Sequence, residues 1–310
     1  MNTTFPYFPF SDDTYKMTMG TQALNPDSLI EIDEPLYHSE IALKERLLVE
    51  EYDQYVHAPV ETQHEQWEVL SLLLPNMAHY YPQHFSLAIH GDEWTWHNRL
   101  LNVNTAFRFG EANSLPLAPL DWLGRQVQED LIVLSGDVTQ EMPLIAGHLC
   151  FPNDWCLQEK LGKSFMRIHD PVPLFASMVG RSSSLLLERL KVGRPVWRLN
   201  WAFKVTPQLT LTPQQVRLLR EEEQEDVTCE TIGQRCYLRV ERQTLSRLPL
   251  TNAILFTIHT YQTRVADIAQ DKDVARRMAN VVRTTPNEML AYKGMLPFVD
   301  VLLAYLDSSV

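Results

Sequence analysis

The stretch Leu131-Ile132-Val133-Leu134 is a continuous apolar run that is followed at once by Ser135-Gly136-Asp137. A short apolar run bounded by turn-forming residues is typical of a buried β-strand. Apolar residues return over residues 143–151. The two stretches therefore predict an antiparallel hairpin, and the rest of the fold is built outward from it.

Three further strands are predicted towards the C-terminal end. Residues 195–205 alternate large apolar residues with Arg198 and Asn200, and residues 235–245 alternate Leu238 and Val240 with charged residues. Residues 254–261 complete the set. Alternation with a period of two is the pattern of a strand with one face buried.

Helices are predicted between the hairpin and these three strands, over residues 155–162 and 173–190. The order strand–strand, helices, strand–strand–strand indicates an α+β fold with a PAS-like antiparallel five-stranded sheet. Its helical crossing covers one face of the sheet. Such a layout encloses a pocket between sheet and helices, where small molecules bind.

The flanking segments predict N- and C-terminal helical extensions. Helices are expected over residues 38–51, 60–77 and 119–130, the second ending near Pro75 or by Pro82, and residues 265–306 read as helical with breaks near Pro286 and Pro297. Residues 84–118 read as a polar loop with a short hairpin. Residues 5–10 read as an extended arm, since two prolines exclude regular helix. The acidic run over residues 221–226 reads as a solvated loop or helix end.

These elements suggest three parts of the chain. Residues 1–117 form an N-terminal arm and helical region that packs on the core. Residues 118–263 form the PAS-like, cofactor-binding core. Residues 264–310 form a C-terminal helical extension.

Glycine is scarce, and this excludes several cofactor sites. Eleven glycines in 310 residues is about half of the usual ~7%. Neither GxGxxG nor GxxxxGK[ST] occurs, and GxSxG is also absent. A nicotinamide or ATP site built on a standard glycine-rich loop is therefore not expected.

Charge and cysteine content point to a soluble, cytoplasmic protein. The formal net charge of −12 disfavours non-specific nucleic-acid binding, which depends on Lys and Arg, and tolerates a cationic substrate. The four cysteines, Cys150, Cys156, Cys229 and Cys236, do not have CxxC spacing, and reduced thiols are expected. No signal peptide or membrane span is expected.

One histidine stands apart from the other nine. His169 lies in Ile168-His169-Asp170-Pro171-Val172-Pro173, where two prolines stiffen the backbone. A single imidazole presented from a rigid segment into an apolar pocket suits an axial haem ligand. A core histidine bonded to a backbone carbonyl fits the same residues.

Polar residues are unusually frequent in the predicted strands. Alternation places Arg239, Glu241 and Gln243 on one face of their strand, and Thr257, His259 and Tyr261 on one face of theirs. His148 also shares a strand face with apolar neighbours. These groups form either a polar wall around a ligand or an inward network of ion pairs, because buried charges must be paired or used.

At these residues the sequence resembles the haem-dependent oxidative N-demethylases, specifically the α subunits of dimethylamine monooxygenase-type enzymes. The matching segments follow the family's order from about residue 40 onward. They include Ile41-Ala42-Leu43-Lys44, Ala146-Gly147, Cys150-Phe151-Pro152, Ile168-His169 with Pro171-Val172-Pro173, Gly193-Arg194-Pro195-Val196-Trp197-Arg198-Leu199-Asn200-Trp201, Leu238-Arg239-Val240-Glu241-Arg242-Gln243-Thr244-Leu245, Leu255-Phe256-Thr257-Ile258 and Tyr292-Lys293-Gly294.

The resemblance implies a haem b-binding PAS-like domain that oxidises a small secondary amine with O2. Electrons would come from a separate reductase subunit carrying flavin and a [2Fe–2S] cluster. It implies His169 as the axial iron ligand, with Arg198, Asn200, His148 and His259 beside the cofactor. It further suggests that Arg239, Glu241, Arg242, Thr257 and Tyr261 polarise oxygen and hold the ammonium substrate.

Two positions depart from the family pattern. His259 stands where the family usually has Arg, and His148 replaces what is usually a small apolar residue. If both enter the pocket, substrate choice or haem ligation changes. Two alternatives therefore stay open: a non-catalytic haem or gas sensor of PAS type, and a haem-free small-molecule-binding protein.

Overall fold

The computed structural model describes residues 5–222 and 227–310. Within these residues the protein is α+β, with two antiparallel sheets. The larger sheet has seven strands in the order β1-β8-β9-β10-β6-β7-β2. Its strands are β1 (Gln22–Ala23), β2 (Val56–His57), β6 (Asp130–Leu134), β7 (Leu144–His148), β8 (Val196–Lys204), β9 (Tyr237–Arg247) and β10 (Ile254–Arg264), and the smaller sheet comprises β3 (Phe85–His90), β4 (Glu93–Asn98) and β5 (Val103–Arg108).

The five predicted strands form the centre of the larger sheet. β6 and β7 are an antiparallel hairpin, and β8, β9 and β10 form a second antiparallel set that joins the hairpin through β10 and β6. The expected number of five strands is wrong, since β1 and β2 add one strand at each edge. Each has two residues, which is too short to show alternation in sequence.

Helices fill the remaining segments of the described chain. They are α1 (Glu34–Glu50), α2 (Tyr52–Tyr55), α3 (Gln63–Tyr80), α4 (Pro119–Gly124), α5 (Leu157–Lys160), α6 (Phe165–Ile168), α7 (Arg181–Arg189), α8 (Pro213–Glu222), α9 (Ile232–Arg235), α10 (Val265–Ile268), α11 (Lys272–Thr284), α12 (Asn287–Tyr292) and α13 (Val299–Ser308). A π-helical turn, Ala176–Gly180, precedes α7. The predicted breaks near Pro286 and Pro297 are confirmed, since Pro286 caps α12 and α13 begins just after Pro297.

Three predictions for the flanking segments need correction. Residues 84–118 hold the three-stranded sheet and not a polar loop, because Trp94, Trp96 and Phe107 are buried against α3. The predicted end of α3 near Pro75 is wrong and the end by Pro82 is confirmed, because the helix continues through Pro75 to Tyr80; one proline removes a single backbone donor from a helix held by packing. α4 ends at Gly124, six residues before the expected end. The end of the acidic run, residues 223–226, lies outside the described residues.

The pleat gives the larger sheet two faces with different coverings. We call the face that carries Ile132, Glu241 and Ile258 the front, and the face that carries Leu131, Arg242 and His259 the back. On the front, the crossing of α5, α6 and α7 packs its apolar side chains on the sheet. On the back lie the N-terminal helices and the small sheet, and beside them the C-terminal helices α9–α13.

Candidate functional site

A cavity of about 990 Å³ lies between the front of the sheet and the helical crossing. This volume is at the upper end of the range of ligand pockets. The N-terminal arm and the α12 region close it at the β8 edge. Its apolar lining includes Ile132, Leu134, Leu144, Phe165, Phe175, Leu245, Phe256 and Ile258, and its polar lining includes His169, Arg198, Asn200, Glu241, Gln243, Tyr292 and Lys293.

His169 reaches the cavity from the end of α6. The Ser164 side chain accepts the Arg167 N–H and so caps this one-turn helix, and His169 occupies the C-terminal cap position. The ring stacks on Phe175 at a centroid distance of 4.3 Å and lies 4.4 Å from the Phe165 ring. Packing between two aromatic rings fixes the direction of the imidazole.

The hydrogen bond of His169 sets its tautomer. Nδ1 lies 2.8 Å from the Phe165 carbonyl oxygen, and because a carbonyl only accepts, Nδ1 carries the proton. Burial lowers the pKa of His169 to about 4, assisted by the charges of Arg198 and Lys160. The neutral ring therefore keeps a free lone pair on Nε2, which makes no hydrogen bond to a described residue. A carbonyl-held Nδ1 with a free Nε2 is the usual arrangement of a metal-ligating histidine.

Glu241 is a carboxylate on the sheet side of the cavity wall. One of its oxygens accepts from Asn200 Nδ2 at 3.2 Å and from Gln243 Nε2 at 3.0 Å, and the other lies 3.4 Å from Arg239 Nε. Asn200, Glu241 and Gln243 belong to the paired strands β8 and β9. The carboxylate is 6% exposed and fixed from three sides.

Arg198 supplies a cation with spare donor capacity. It follows the same front-facing alternation on β8, opposite Gln243. Its Nε is buried without a hydrogen-bond partner among the described residues. Burial lowers the pKa of Arg198, and the charge of Glu241 opposes that shift. A buried donor without a partner is a position where a ligand acceptor would be stabilised.

Lys293 is a cavity residue to which sequence reasoning gave no role. Its Nζ donates to the Trp201 carbonyl oxygen at 2.6 Å and lies 4.5 Å from the Trp201 ring centroid. Burial lowers its pKa to about 7. The only signal in the sequence was that Tyr292-Lys293-Gly294 matches a family segment, and this follows α12, far along the chain from the strands.

The back of the sheet holds the other predicted site residues. Arg242 Nε lies 3.1 Å from Glu31, and Tyr261 donates to the same carboxylate at 2.6 Å. His259 Nδ1 lies 2.9 Å from Glu129. Thr257 shares a 2.7 Å hydrogen bond with Thr244. The strand register puts these residues opposite to Glu241, so the sheet separates them from the cavity.

Arg239 and His148 are enclosed in protein. Arg239 donates to the carbonyl oxygens of Phe151, at 2.6 Å, and Leu209, at 2.8 Å, and it contacts Glu241 from the side. His148 is fully buried on the back, where its Nε2 lies 3.6 Å from Asp121. Burial lowers the pKa of His148 well below its usual value. Neither side chain belongs to the cavity lining.

The donor set fits a haem better than a bare metal ion. Over residues 5–222 and 227–310, no group of three or more His, Cys, Asp or Glu side chains is placed to hold a metal. A haem iron needs only one axial protein ligand and an apolar slot for the ring. His169 and the apolar lining supply both. Among the same residues, no helix has the length and apolar character to cross a membrane.

A comparison with known protein families identifies the family of the chain. The model of the family described as "haem-dependent oxidative N-demethylase, alpha subunit-like" matches residues 20–303, which is most of the chain and includes His169, Arg198, Glu241 and Lys293. The protein therefore belongs to the haem-dependent oxidative N-demethylase, alpha subunit-like family.

Proposed function

We propose that the protein is the haem b-binding subunit of a cytoplasmic monooxygenase that removes a methyl group from a small secondary amine such as dimethylamine. Electrons come from a separate reductase subunit that carries flavin and a [2Fe–2S] cluster. The observation that carries the proposal is the neutral, carbonyl-held His169 across one cavity from the buried carboxylate of Glu241. The family membership supports the haem dependence and the reaction class.

The five central strands and the crossing support a PAS-like core. The hairpin β6–β7, the helices α5–α7 and the set β8–β10 follow one another in the chain. The cavity lies between the crossing and the sheet, and His169 belongs to the crossing. The axial ligand therefore faces the polar strand residues across the cavity.

His169 and its aromatic neighbours would hold the haem. Nε2 would bind the iron, and the flat apolar surfaces of Phe165, Phe175 and Phe256 would line the slot. No CxxCH motif is present to attach the ring covalently, which is in keeping with haem b. Arg198, with its unpartnered Nε, offers a cation and donor to a carboxylate of the cofactor or to an oxygen.

When bound, the haem supplies the activation of O2. The overall change is (CH3)2NH + O2 + 2e− + 2H+ → CH3NH2 + CH2O + H2O. One oxygen atom is inserted into a methyl C–H bond and the other leaves as water. The carbinolamine then loses its C–N bond, the hydroxyl proton moves to nitrogen, and methylamine and formaldehyde are released.

Glu241 would hold the substrate nitrogen. A carboxylate has about four acceptor positions, and Asn200, Gln243 and Arg239 occupy three of them. The fourth is available to an N–H of an ammonium or amine. A negative charge fixed in a desolvated cavity favours a small cation and rejects an anion.

The structure changes the roles that we assign to the back-face residues. Arg242, Thr257, Tyr261 and His259 are bonded to Glu31, Glu129 and Thr244 on the far side of the sheet. We assign them, with His148 and Arg239, to support of the strands rather than to contact with substrate or haem. The two departures at His148 and His259 therefore do not alter ligation.

Absorption spectroscopy of protein expressed with ample haem tests the cofactor. Wild type should show a Soret band that shifts on addition of dimethylamine. His169→Ala should lose or shift the band, while the matched control His84→Ala, a histidine paired with Glu34 outside the cavity, should keep it. Colourless wild-type protein, or an unchanged band in His169→Ala, would contradict the haem site.

Turnover separates the enzyme from the two alternatives. With a flavin and [2Fe–2S] reductase and NADPH, the holoprotein should release formaldehyde in proportion to dimethylamine consumed. Haem binding without formaldehyde would indicate a sensor. Binding of dimethylamine to a colourless protein, measured by calorimetry, would indicate a haem-free binding protein.

A further inference from the structure

We propose that the outer surface of the helical crossing is the docking site of an acidic electron-transfer protein. The inference rests on the proposed function, because it names the surface through which electrons reach the cavity. It comes from the distribution of charge, from exposed apolar side chains and from the position of His169.

Charge is divided unequally along the chain. Residues 159–194, which include the crossing, hold seven Lys and Arg against three Asp and Glu, a net charge of +4. The whole chain carries −12, so the other 274 residues carry −16. The crossing is therefore a positive region on a strongly negative protein, and it attracts an acidic partner that the remaining surface repels.

The cations of the crossing are without acidic partners in the described part of the chain, although Lys160 donates to the Ile168 carbonyl oxygen. Six of them are exposed, namely Lys163, Arg167, Arg181, Arg189, Lys191 and Arg194. No salt bridge joins any of the six to a residue in the described part of the chain, whereas exposed arginines elsewhere divide into those with acidic partners, such as Arg108 and Arg276, and those without, such as Arg46 and Arg217. Charges left without internal partners are available for steering and orienting another molecule.

Apolar side chains lie among these cations. Leu174 is 47% exposed and Met178 is 61% exposed, and the Met178 N–H bonds to the Leu174 carbonyl oxygen, so they lie one turn apart. Arg181 follows by three residues, after the π-helical turn Ala176–Gly180. We call Arg167, Leu174, Met178 and Arg181 the crossing patch. An apolar centre with a charged surround is typical of protein interfaces.

His169 connects the crossing patch to the cavity. Its neighbours Arg167 and Asp170 are exposed, while its own ring lines the cavity between Phe165 and Phe175. The inner side of the same layer packs on the sheet through residues such as Leu161 and Ile168. One layer of helix therefore separates the surface from the axial ligand, and an electron donor seated there has a short path inward.

The small size and positive charge of the crossing patch indicate which kind of partner binds there. Electron-transfer encounters use small, charged interfaces that release the partner after each electron, and a patch of a few cations around two apolar side chains has that character. A nucleic acid is disfavoured, because the rest of the surface is negative. A second copy of this chain, whose surface is also acidic outside the crossing, is the alternative that the experiment must exclude.

Charge reversal tests the docking site with a defined probe. The double variant Arg167→Glu/Arg181→Glu is compared with Arg46→Glu/Arg217→Glu, which reverses two exposed cations outside the crossing. The probe is a reduced, acidic plant-type [2Fe–2S] ferredoxin, and the readouts are its binding to the protein by biolayer interferometry and the rate of haem reduction by stopped flow. Size-exclusion chromatography reports self-association.

At an ionic strength of about 20 mM, the crossing variant should bind the ferredoxin and be reduced by it about tenfold more slowly than wild type. The control should change less than about twofold, and about 300 mM salt should remove the difference. Met178→Asp should weaken binding at both salt concentrations. Dithionite should reduce the haem equally in all variants.

Equal effects of the two double variants, or no effect of either, would overturn the docking site. A wild-type dimer that the crossing variant dissociates would also overturn it, by assigning the patch to a second copy. Failure of the proposed function would give a different result. The protein would then show no haem spectrum after addition of dithionite, while its binding of ferredoxin would still depend on Arg167 and Arg181.

Discussion

The front and back of the large sheet use the same strands for two different purposes. On the back, Glu31 pairs with Arg242 and Tyr261, and Glu129 pairs with His259. On the front, Glu241 is held by the amides of Asn200 and Gln243 and, more loosely, by Arg239 at 3.4 Å, while the cavity cations Arg198 and Lys293 form no salt bridge within the described part of the chain.

The difference is one of charge pairing, since buried atoms without a hydrogen-bond partner among the described residues occur on both faces, such as His259 Nε2 behind the sheet and Arg198 Nε in front of it. Back-face charges are matched by opposite charges at hydrogen-bond distance and are enclosed by the N-terminal segment, whose Glu31 N–H also donates to Glu129 at 2.7 Å. Front-face charges are fixed in position but keep free capacity towards the cavity. A matched network stabilises the fold, and an unmatched one binds a ligand. Four measurements test this contrast.

The largest effect is expected on the back, at Glu129. Glu129→Ala leaves the buried His259 without its counter-charge and the Glu31 N–H without an acceptor. Removing one partner of a buried pair costs about 3–5 kcal/mol, which urea unfolding measures. The exposed Glu61→Ala is the control. A loss below about 1 kcal/mol would show that the back network does not hold the fold.

Glu241→Gln should have the converse effect. It should lower kcat/KM for dimethylamine about 100-fold, which corresponds to about 2.7 kcal/mol, because the front loses the charge that holds the ammonium. Its stability loss should be smaller than that of Glu129→Ala, since Arg239 keeps two carbonyl acceptors. Steady-state formaldehyde release gives the rate. Glu129→Ala, assayed under conditions in which it is folded, should leave KM for dimethylamine unchanged. If Glu129→Ala changed KM as much as Glu241→Gln does, the contrast between the two faces would be wrong.

Tyr261→Phe should affect stability alone. The change removes one hydroxyl donor from Glu31 and should cost about 1.5–3 kcal/mol, the range of a hydrogen bond to a charged group. Thermal unfolding measures this cost. Substrate affinity should be unaltered, because the ring lies behind the sheet, and a KM shift above about threefold would place Tyr261 in the site instead.

The smallest effect concerns pH, and the two faces should respond in opposite directions. Burial lowers the pKa of His169 to about 4, so the unfolded chain takes up a proton first and this contribution to stability is lost as pH falls below about 6.5. For His259, burial lowers the pKa but the charge and hydrogen bond of Glu129 outweigh it, and the net shift is upward. That contribution is present below about 6.5 and is lost as pH rises through the raised value.

Two variants separate these contributions. Between pH 7 and pH 4, the free energy of unfolding of His169→Gln should fall by about 1 kcal/mol less than that of wild type, allowing for solvent screening of a partly exposed ring. His259→Gln should flatten the alkaline side of the stability curve and leave the acid-side loss from His169. Urea unfolding of haem-free protein across pH measures both. Identical pH curves for the two variants would contradict the assignment of the histidines to different environments.

Much of the architecture could be predicted from local patterns. The apolar run at 131–134 and the alternation along β8, β9 and β10 predicted five central strands, and the prolines around His169 marked a stiff, histidine-bearing segment. These features depend on neighbours within a few residues, which is why sequence reasoning reached them. The two-residue strands β1 and β2, and Lys293 after α12, depend on distant partners and gave no comparable signal.

The alternating pattern of the sequence shows which residues share a face within each strand, whereas the pairing of the strands sets which of those faces coincide. Glu241 pairs with Thr260, so Thr257, His259 and Tyr261 fall behind the sheet, although each group alternates correctly in its own strand. Alternation within one strand does not show how that strand is aligned with its neighbours. That alignment is set by the register of the strand pairing and by the elements that pack on each side of the sheet. Glu241 therefore faces the ligand cavity under the helical crossing. His259 forms a structural ion pair on the other side of the sheet, under the N-terminal segment.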